Sequence, residues 1–410
     1  MEFKKILFVG LGGAGQRHLR IFKERLPLET QFSAFRATKK TPLLNSDFSV
    51  NQEITLQQKF DLTLFNSLEE AFNSRPDLIV ISTPSSLHYD VALEAAKQSI
   101  HVFIEKPFSH NLDGFSHFSK FIIENELIFF VSFQRRFHPY MRKIKELLET
   151  GKLGKIISAH FDVCSYVPEW HKYENFRELY ACRQDLGGGV LLTEIHELDL
   201  CAWYFGLPDL VYCAGGNFSD VNLDIEDTAH MTLKYQDFNV QVNLCFMQQH
   251  NRRELYIAGT KGYVEWNMEG NQFLFHDYET NEKEAITDSN LSNDDPFLAQ
   301  ATDFLRGDVA VKGGITAVIK TAHLAEGFRM NYEVHHGGNS LNNVANLHAI
   351  LAIQNCEFFE VLLPEGAQKY GLVEDIEVDE NGYVHAPTTA GLGANIDFEL
   401  IERNKLTVLR

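Results

Sequence analysis

The sequence predicts a mixed α/β protein in three parts. The first part is a parallel-sheet domain, the second an α+β domain with a mostly antiparallel, open sheet, and the third a βαβαβ segment. Three observations predict this order. Short apolar strands alternate with amphipathic helices as far as about residue 135, longer and partly alternating strands begin at Ile156, and strand and helix alternate again after about residue 300. We therefore place the domains at 1–135, 136–300 and 301–410.

The first strand, Lys5–Val9, runs into a glycine-rich turn, GLGGAG, and a predicted helix from Gln16 to Leu26 follows the turn. The glycines therefore have the spacing G-x-G-x-x-G between a strand and a helix. Such a turn lets the backbone approach a pyrophosphate, and the start of the helix supplies free N–H groups and a positive dipole. This arrangement predicts a dinucleotide-binding Rossmann domain. The expected cofactor-binding residues of the turn are Gly10, Gly12, Gly13, Ala14, Gly15 and Gln16.

The end of the second strand, Gln31–Phe35, indicates which dinucleotide binds. An Asp or Glu at this place would bind the ribose 2′-hydroxyl of NAD, but no carboxylate occurs between Glu29 and Asp47. The positions after the strand are instead polar or basic: Arg36, Thr38, Lys39 and Lys40. A basic cluster can hold a 2′-phosphate, so we expect NADP(H) in preference to NAD(H). A solvated turn after an edge strand is the alternative explanation.

Two further strands of the first domain end in polar residues. Asp77–Ser82 is a continuous apolar run followed by Thr83-Pro84, and His101–Glu105 is closed by Lys106-Pro107. The carboxyl ends of parallel strands form the edge at which open α/β sheets bind ligands. The further cofactor contacts that we expect at this edge come from Ser82, Thr83, Pro84, His88, Glu105, Lys106, Pro107 and Arg135.

In the second domain, three glycines at 187–189 begin a predicted helix with the sequence VLLTEIHELDLCAWYFG. Thr193, His196 and Asp199 follow one another at intervals of three residues, so they share one face of this helix. A histidine on such a face is either a core residue with satisfied hydrogen bonds or an acid/base group. The residues alone leave both interpretations of His196 open.

These motifs together resemble the Gfo/Idh/MocA oxidoreductases, NAD(P)-dependent enzymes that act mostly on sugars, cyclitols and nucleotide-sugars. The resemblance covers about residues 1–300 and is carried by GLGGAGQRH, STPSSLH, EKP, QRRFHP and GGGVLLTEIHELDL. It implies that Lys106 of EKP lies beside the reacting carbon and the nicotinamide, and that His196 is an acid/base histidine. The family often has Asp where this chain has Thr193. Lys106 and His196 are therefore the expected catalytic pair.

The expected chemistry requires such a pair. Oxidation of a secondary alcohol needs a base for the hydroxyl proton while hydride leaves for the nicotinamide. A neutral imidazole or a lysine with a lowered pKa can accept that proton near neutral pH. The cofactor carries the redox step, and the protein positions and polarises the substrate.

Residues 165–183, SYVPEWHKYENFRELYACR, are rich in aromatic and basic side chains. Aromatic rings with an arginine suit a sugar, or a sugar that carries a phosphate or carboxylate. The segment resembles that of family members from surface-polysaccharide pathways, which act on nucleotide-linked sugars. A packed surface loop is the alternative interpretation. The expected substrate-binding residues of the whole chain are Lys106, His138, Trp170, Tyr173, Arg177, Thr193, His196 and Asp199.

The last part of the chain resembles the end of an enolase-superfamily enzyme of the mandelate racemase type. The resemblance covers roughly residues 301–410, in blocks such as EVHHGGNSLNNVANLHAILAI and GLGANIDFELIER. It implies an acid/base dyad of Asp308 and His335, with Glu360 at the last strand. That chemistry requires Mg²⁺ on carboxylates of earlier barrel strands, and three strands cannot close a (β/α)8 barrel. We therefore expect an incomplete barrel that is catalytically silent, in a chimeric chain.

Composition narrows the classes of partner. The net charge of −19 argues against nucleic acid and anionic membranes. No apolar run approaches the roughly 18 residues of a membrane span, and the N-terminal run ends in a glycine loop without a cleavage site. The six cysteines show no CxxC and no metal spacing. We expect reduced thiols, no metal site, a cytoplasmic location, a homo-oligomer and a small-molecule substrate.

The function that we expect is hydride transfer between NAD(P) and a secondary hydroxyl or keto group of a sugar, cyclitol or nucleotide-sugar. Two alternatives remain open. The first is a Mg²⁺-dependent sugar-acid dehydratase or racemase of the enolase superfamily, for which the site is incomplete. The second is a protein that binds the cofactor without catalysis.

Overall fold

The computed structural model describes residues 3–37, 42–125, 127–305, 319, 334, 340–354, 356, 359, 371–387 and 393–403. The chain forms two compact units. One unit is Lys4–Ala301, and the other holds Phe3 together with the described residues from Thr302 onward. The predicted site residues described by the structure all lie in the first unit.

Six parallel strands form the first sheet. They are β1 (Lys5–Val9), β2 (Gln31–Phe35), β3 (Thr63–Phe65), β4 (Leu78–Ile81), β5 (His101–Glu105) and β6 (Phe129–Ser132). Their order is β3-β2-β1-β4-β5-β6, with the reversal next to β1. The whole of β4 is inaccessible to solvent, as its continuous apolar run predicts. The predicted Rossmann sheet is confirmed, and its crevice lies at the carboxyl ends of β1 and β4.

Six helices accompany this sheet and lead out of it. They are α1 (Gly13–Arg25), α2 (Leu56–Phe60), α3 (Leu68–Asn73), α4 (His88–Lys97), α5 (Phe115–Glu124) and α6 (Pro139–Glu149). α1 begins at Gly13 and not at the predicted Gln16, so the second half of the glycine turn is already helical. The first N–H groups of α1, which have no partner within the helix, therefore belong to the turn itself.

Eight strands form the second sheet. They are β7 (Ile156–Tyr166), β8 (Leu210–Gly216), β9 (Thr228–Lys234), β10 (Asn239–Cys245), β11 (Met247–Gly259), β12 (Gly262–Asn267), β13 (Gln272–Asp277) and β14 (Lys283–Thr287). Their order is β14-β13-β12-β11-β7-β10-β9-β8, and all neighbours are antiparallel except β7 and β10. Buried Val240, Val242 and Leu244 alternate along β10 with partly exposed polar residues. The predicted, mostly antiparallel sheet with one open face is therefore confirmed.

The predicted helix after the three glycines is two helices, α7 (Val190–Thr193) and α8 (His196–Phe205). Glu194 and Ile195 separate them. The backbone leaves helical geometry at Glu194, with φ of −95° and ψ of +31°, and the Glu194 carboxylate pairs with Arg253 of β11 at 2.5 Å. The single predicted helix is thus corrected, and His196 becomes the first residue of α8.

The second unit is described only in part. α9 (Asp295–Leu305) leads into it, and it contains α10 (Ser340–Leu351) and α11 (Phe398–Arg403). The expected residues Asp308, His335 and Glu360 lie outside the described residues. Within the described ranges, no helix is long and apolar enough to cross a membrane.

Candidate active site

The glycine turn after β1 forms an open cradle at the carboxyl edge of the first sheet. Gly10 has a φ of +92°, which favours glycine, and a Cβ atom there would lie 2.7 Å from the carbonyl oxygen of Ser82. Gly12 faces open space, because no atom of the described residues lies within 4 Å of its Cβ position. The N-terminus of α1 adjoins this space. A turn with these properties fits the pyrophosphate of a dinucleotide.

Gln16 is fully buried behind the turn. Its side-chain nitrogen donates to the carbonyl oxygens of Leu11 at 3.1 Å and Pro42 at 2.8 Å. Its side-chain oxygen accepts from the backbone N–H of Leu44 at 2.8 Å. Both amide hydrogens of Gln16 are therefore used inside the protein, where they brace the turn against residues 42–44.

Hydrogen bonds join three strand ends at this edge. The Ser82 hydroxyl donates to the carbonyl oxygen of Gly10 at 2.8 Å. The ring nitrogens of His88 lie 2.7 Å from the carbonyl oxygen of Pro107 and 2.8 Å from that of Thr83. Burial lowers the pKa of His88, although both carbonyls oppose that shift. The predicted residues after β1, β4 and β5 are thus held in one place.

The Glu105 carboxylate, at the end of β5, is buried. One oxygen lies 2.6 Å from Nε2 of His18, and the other accepts the backbone N–H of Lys106 at 3.1 Å. Burial opposes ionisation, but the bond to His18 and the charge of Lys106 hold the pKa of Glu105 below its usual value. Glu105 therefore anchors the start of the Lys106 turn.

The Lys106 side chain bridges the two domains. Its ammonium group donates to the carbonyl oxygen of Thr193 at 2.5 Å, at the end of α7. His196 follows three residues later, and the charge of Lys106 contributes to lowering its pKa. The two residues predicted to form a catalytic pair therefore lie close together, one at the end of β5 and one at the start of α8.

His196 is 5% exposed, and its ring is neutral in this environment. Burial, followed by the charges of Lys106, Arg253 and Arg135, lowers the pKa of His196 well below its usual value. The side-chain nitrogen of Gln134 lies 3.2 Å from its Nε2. Because an amide nitrogen only donates, Nε2 is the acceptor of this contact, and a neutral ring carries its hydrogen on Nδ1, where it is available to donate to a ligand.

Arg253, Glu194 and Glu197 form a buried ion cluster that links α7 and α8 to the second sheet. Arg253 of β11 pairs through Nε with Glu197 at 2.8 Å and through Nη2 with Glu194 at 2.5 Å. Although burial opposes its charge, Glu197 and Glu194 raise the pKa of Arg253. Arg135 lies near the same groups, and burial followed by the charge of Arg253 lowers the pKa of Arg135 to about 9.

Six polar atoms around this region are buried without a hydrogen-bond partner among the described residues. They are Thr83 Oγ1, Gln134 Oε1, Arg135 Nε, Tyr173 Oη, Thr193 Oγ1 and His196 Nδ1. A buried polar atom without a partner costs about 1–3 kcal/mol, so a native protein retains a group of them where a ligand or water completes the bonds. The group indicates a ligand site next to the glycine cradle.

Four predicted substrate-binding residues already have partners within the protein. His138 caps α6, since its Nδ1 accepts the N–H of Tyr140 at 3.3 Å. Trp170 packs on Phe246 with ring centroids 5.2 Å apart. The two remaining residues are also engaged. Arg177 donates to the carbonyl oxygens of Val221 and Asn222, and both oxygens of Asp199 accept from Arg136 at 2.7 and 2.8 Å.

Of the four residues predicted to bind a 2′-phosphate, the structure describes Arg36. Arg36 directly follows β2, is partly buried, and has a pKa that burial lowers. Thr38, Lys39 and Lys40 lie outside the described residues. Arg36 stands at the strand end next to the glycine turn, because the backbone N–H of Gly10 donates to the carbonyl oxygen of Phe35 at 3.1 Å.

Two residues of the site were missed in the sequence. Gln134 lies within the motif QRRFHP, directly before the predicted Arg135, so its neighbourhood was a usable signal. Arg253 had no such signal. It lies 59 positions from Glu194 and meets it only after the second sheet has formed.

Buried histidines predict an acid-sensitive fold. Burial lowers the pKa of His88 and His196, and burial with the charge of Arg135 lowers that of His138 to about 3. The unfolded chain, with histidine pKa values of about 6.5, binds more protons below that pH than the folded chain. We expect the free energy of unfolding to fall between pH 7 and pH 5.5, by up to about 1.4 kcal/mol per pH unit for each histidine.

Urea unfolding at the two pH values measures this effect. A His138→Asn variant keeps a capping side chain at the start of α6 and removes one ionisation, so its stability should depend less on pH. The exposed His117→Asn serves as the control and should not change the dependence. Equal stability of the unsubstituted protein at both pH values would contradict the expectation.

Family models match three parts of the chain. Residues 4–133 match the model described as the oxidoreductase family with an NAD-binding Rossmann fold. Residues 141–265 match the Gfo/Idh/MocA C-terminal domain, and residues 294–400 match an enolase C-terminal domain-like model. The third match begins before the expected boundary at 301.

Curated relatives and solved structures agree with these matches. The chain is 27% identical over 213 residues to a 2,7-anhydro-N-acetylneuraminate hydratase of Escherichia coli, covering 50% of this chain and 55% of the relative. It is 33% identical over 202 residues to a myo-inositol 2-dehydrogenase of Thermotoga maritima, covering 46% and 55%. The chain thus spans little more than half the length of these relatives.

The fold is also that of known structures. The WlbA dehydrogenase of Bordetella pertussis, in complex with NADH and UDP-GlcNAcA, superimposes with a TM-score of 0.57 at 19% identity, covering 74% of this chain and 86% of that chain. Together with the strand order of the first sheet and the mixed second sheet, these matches assign the two domains. Residues 4–133 and 141–265 belong to the Gfo/Idh/MocA oxidoreductase family, and residues 294–400 are similar to the C-terminal domain of enolase-type enzymes.

Proposed function

We propose that the chain is an NAD(P)-dependent oxidoreductase that transfers hydride between the nicotinamide and a secondary hydroxyl or keto group of a sugar, cyclitol or nucleotide-sugar. The observation that carries the proposal is the meeting of Lys106 and His196 beside an open glycine cradle. Membership of the first two domains in an oxidoreductase family supports the same function.

In the proposed reaction, the nicotinamide supplies or accepts the hydride when it is bound. His196 accepts the hydroxyl proton at Nε2, which exchanges its contact with the Gln134 side-chain nitrogen for the substrate hydroxyl, because the amide nitrogen only donates and the neutral ring therefore carries its own hydrogen on Nδ1. Lys106 donates a hydrogen bond to the substrate oxygen in place of the Thr193 carbonyl that it now contacts. Thr193 Oγ1 offers a further polar contact to the substrate. We assign supporting roles to Gln16, Glu105, His138 and Asp199, whose polar groups are used inside the protein.

The names of the relatives support a class of substrate. Their names refer to an inositol, an anhydro-sugar acid and a UDP-linked sugar acid. We propose a polyhydroxylated ring as substrate, and a panel of cyclitols, anhydro-sugars and UDP-sugars tests it. Because one relative is named as a hydratase, the assay should follow sugar consumption as well as nicotinamide absorbance. If the cofactor binds but no member of the panel reacts, the chain is a cofactor-binding protein.

We propose NADP(H) as the preferred cofactor, and fluorescence titration with NADPH and NADH tests this. We expect NADPH to bind about tenfold more tightly, because Arg36 directly follows β2, and the end of this strand is where a dinucleotide-binding domain recognises the 2′ position of the ribose. An Arg36→Ala variant should lose that preference and keep its affinity for NADH. Tighter binding of NADH by the unsubstituted protein would overturn the preference, and binding of neither nucleotide would overturn the proposed function.

The enolase-type alternative is tested separately. Mg²⁺-dependent dehydration of a sugar acid that is lost in His335→Asn would favour it, whereas no such activity is expected. The proposed homo-oligomer is tested by light scattering of the full chain.

A further inference from the structure

Three aromatic rings cover the glycine turn from one side. Phe48 stacks on His171 with centroids 6.3 Å apart, and His171 stacks on Tyr173 at 5.1 Å. A Cβ atom on Gly13 would lie 2.8 Å from the Phe48 ring and 3.6 Å from the Tyr173 hydroxyl oxygen. The column therefore touches the first residue of α1, where a pyrophosphate would lie.

Phe48 is held in this position against a backbone preference. Its φ is +64°, a conformation that is rare for a bulky side chain. The turn from Asn45 to Ser49 fixes it, since the N–H of Phe48 donates to the carbonyl of Asn45 at 3.0 Å and the N–H of Asn45 to Ser49 at 2.9 Å. The Arg17 guanidinium lies 4.7 Å from the centre of the ring on this side. A strained residue with several supports indicates a functional position.

Tyr173 brings a hydroxyl donor to the same place. No acceptor meets the full distance and angle criteria for its buried hydroxyl, and the Glu174 carboxylate is the neighbouring group close enough to act as one. The neighbouring His171 ring is fixed by Glu174, whose carboxylate lies 2.8 Å from Nδ1. Burial, followed by the charge of Glu174 and a side-chain hydrogen bond with it, raises the pKa of Tyr173, so the hydroxyl keeps its proton and can turn from Glu174 to a ligand. Phosphate oxygens are strong acceptors for such a donor.

We propose that Phe48, His171 and Tyr173 form an aromatic clamp on the bound dinucleotide, in which the Tyr173 hydroxyl donates to the pyrophosphate. The proposal rests on the cofactor site proposed above and moves Tyr173 from the substrate to the cofactor. Phe48 comes from the Rossmann domain, whereas His171 and Tyr173 come from the segment 165–183 of the second domain. The clamp therefore couples cofactor binding to the position of the segment that was expected to bind the substrate.

A Tyr173→Phe variant tests the donor, because the ring and its stacking remain. We expect the Kd for the preferred reduced dinucleotide and for ADP-ribose to rise about 10- to 100-fold, as for a lost hydrogen bond to a charged group. The thermal unfolding midpoint without ligand should stay unchanged. Tyr212→Phe, on the exposed strand β8, is the matched control and should bind as the unsubstituted protein does.

The outcomes separate this proposal from the proposed function. If the unsubstituted protein binds the dinucleotide and Tyr173→Phe binds it equally well, the donor role is overturned while the oxidoreductase remains. A change in the KM for the sugar alone would place Tyr173 back at the substrate. A Phe48→Leu variant with unchanged Kd would remove the ring from the clamp. Absence of dinucleotide binding by the unsubstituted protein refutes both proposals.

Discussion

A Lys106→Met variant is expected to transfer hydride about 1,000-fold more slowly than the unsubstituted protein. The ammonium group now donates to the Thr193 carbonyl and can instead donate to a substrate oxygen on which charge changes. A factor of about 1,000 corresponds to about 4 kcal/mol, within the range of positioned acid–base groups. Methionine keeps much of the apolar stem, so binding of the reduced dinucleotide should change little.

Single-turnover mixing of enzyme, cofactor and substrate measures the hydride step apart from binding. Lys97→Met is the matched control, because Lys97 lies exposed at the end of α4 and has only a long contact of 4.0 Å to Glu94. Its rate should equal that of the unsubstituted protein. A Lys106→Met variant that transfers hydride at the normal rate would remove Lys106 from the mechanism.

The residues of this prediction could be predicted from the sequence because each belongs to a short motif. The glycine turn, the polar residues after β4 and β5, and the spacing of Thr193, His196 and Asp199 each lie within a few positions of chain. Parallel strands bring their carboxyl ends to one edge, so local motifs predict a shared site. The same logic predicted Lys106 at this edge, whereas the pairing of His196 with Lys106 was predicted from the resemblance to the oxidoreductase family.

The sequence could not predict contacts between residues that lie far apart along the chain. Asp199 shares a face with His196, but both of its oxygens are used by Arg136, which no spacing rule predicts. At the helix break, Glu194 meets Arg253, which belongs to a strand of the second sheet. Helix propensity alone favours a continuous helix there, so neither the break nor this ion pair could be predicted from local sequence.

An Arg253→Met variant is expected to lower the free energy of unfolding by about 3–5 kcal/mol. Arg253 is 13% exposed, and its removal leaves the carboxylates of Glu194 and Glu197 buried without their cation. The cost comes mainly from these unpaired charges and not from the lost attraction. Urea unfolding at pH 7 measures it, with Arg252→Met as control. Arg252 is the neighbouring residue and pairs at the surface, so it should contribute less than about 1 kcal/mol.

If unpaired charge causes the loss of stability, neutralising the two carboxylates should restore stability. If Glu194→Gln and Glu197→Gln are added to Arg253→Met, part of the lost stability should return, because the two buried carboxylates are then neutral, although Arg135 nearby keeps its charge. A triple variant that remains as unstable as Arg253→Met would show that the lost stability comes mainly from packing of the arginine stem and not from charge. A single variant as stable as the unsubstituted protein would contradict the buried cluster altogether.

The cluster should also affect catalysis, because Thr193 and His196 flank Glu194 on either side of the helix break. Without Arg253, the Glu194 carboxylate loses its partner, so we expect the break and the adjacent Thr193 carbonyl that contacts Lys106 to shift. The charge of Arg253 also contributes to the lowered pKa of His196.

Arg253→Lys keeps this charge but loses the planar fork that holds two carboxylates. We therefore expect Arg253→Lys to keep the pH dependence of hydride transfer while lowering its rate, and Arg253→Met to move the acid limb of that dependence to higher pH. A merely structural residue would leave that limb in place in both variants.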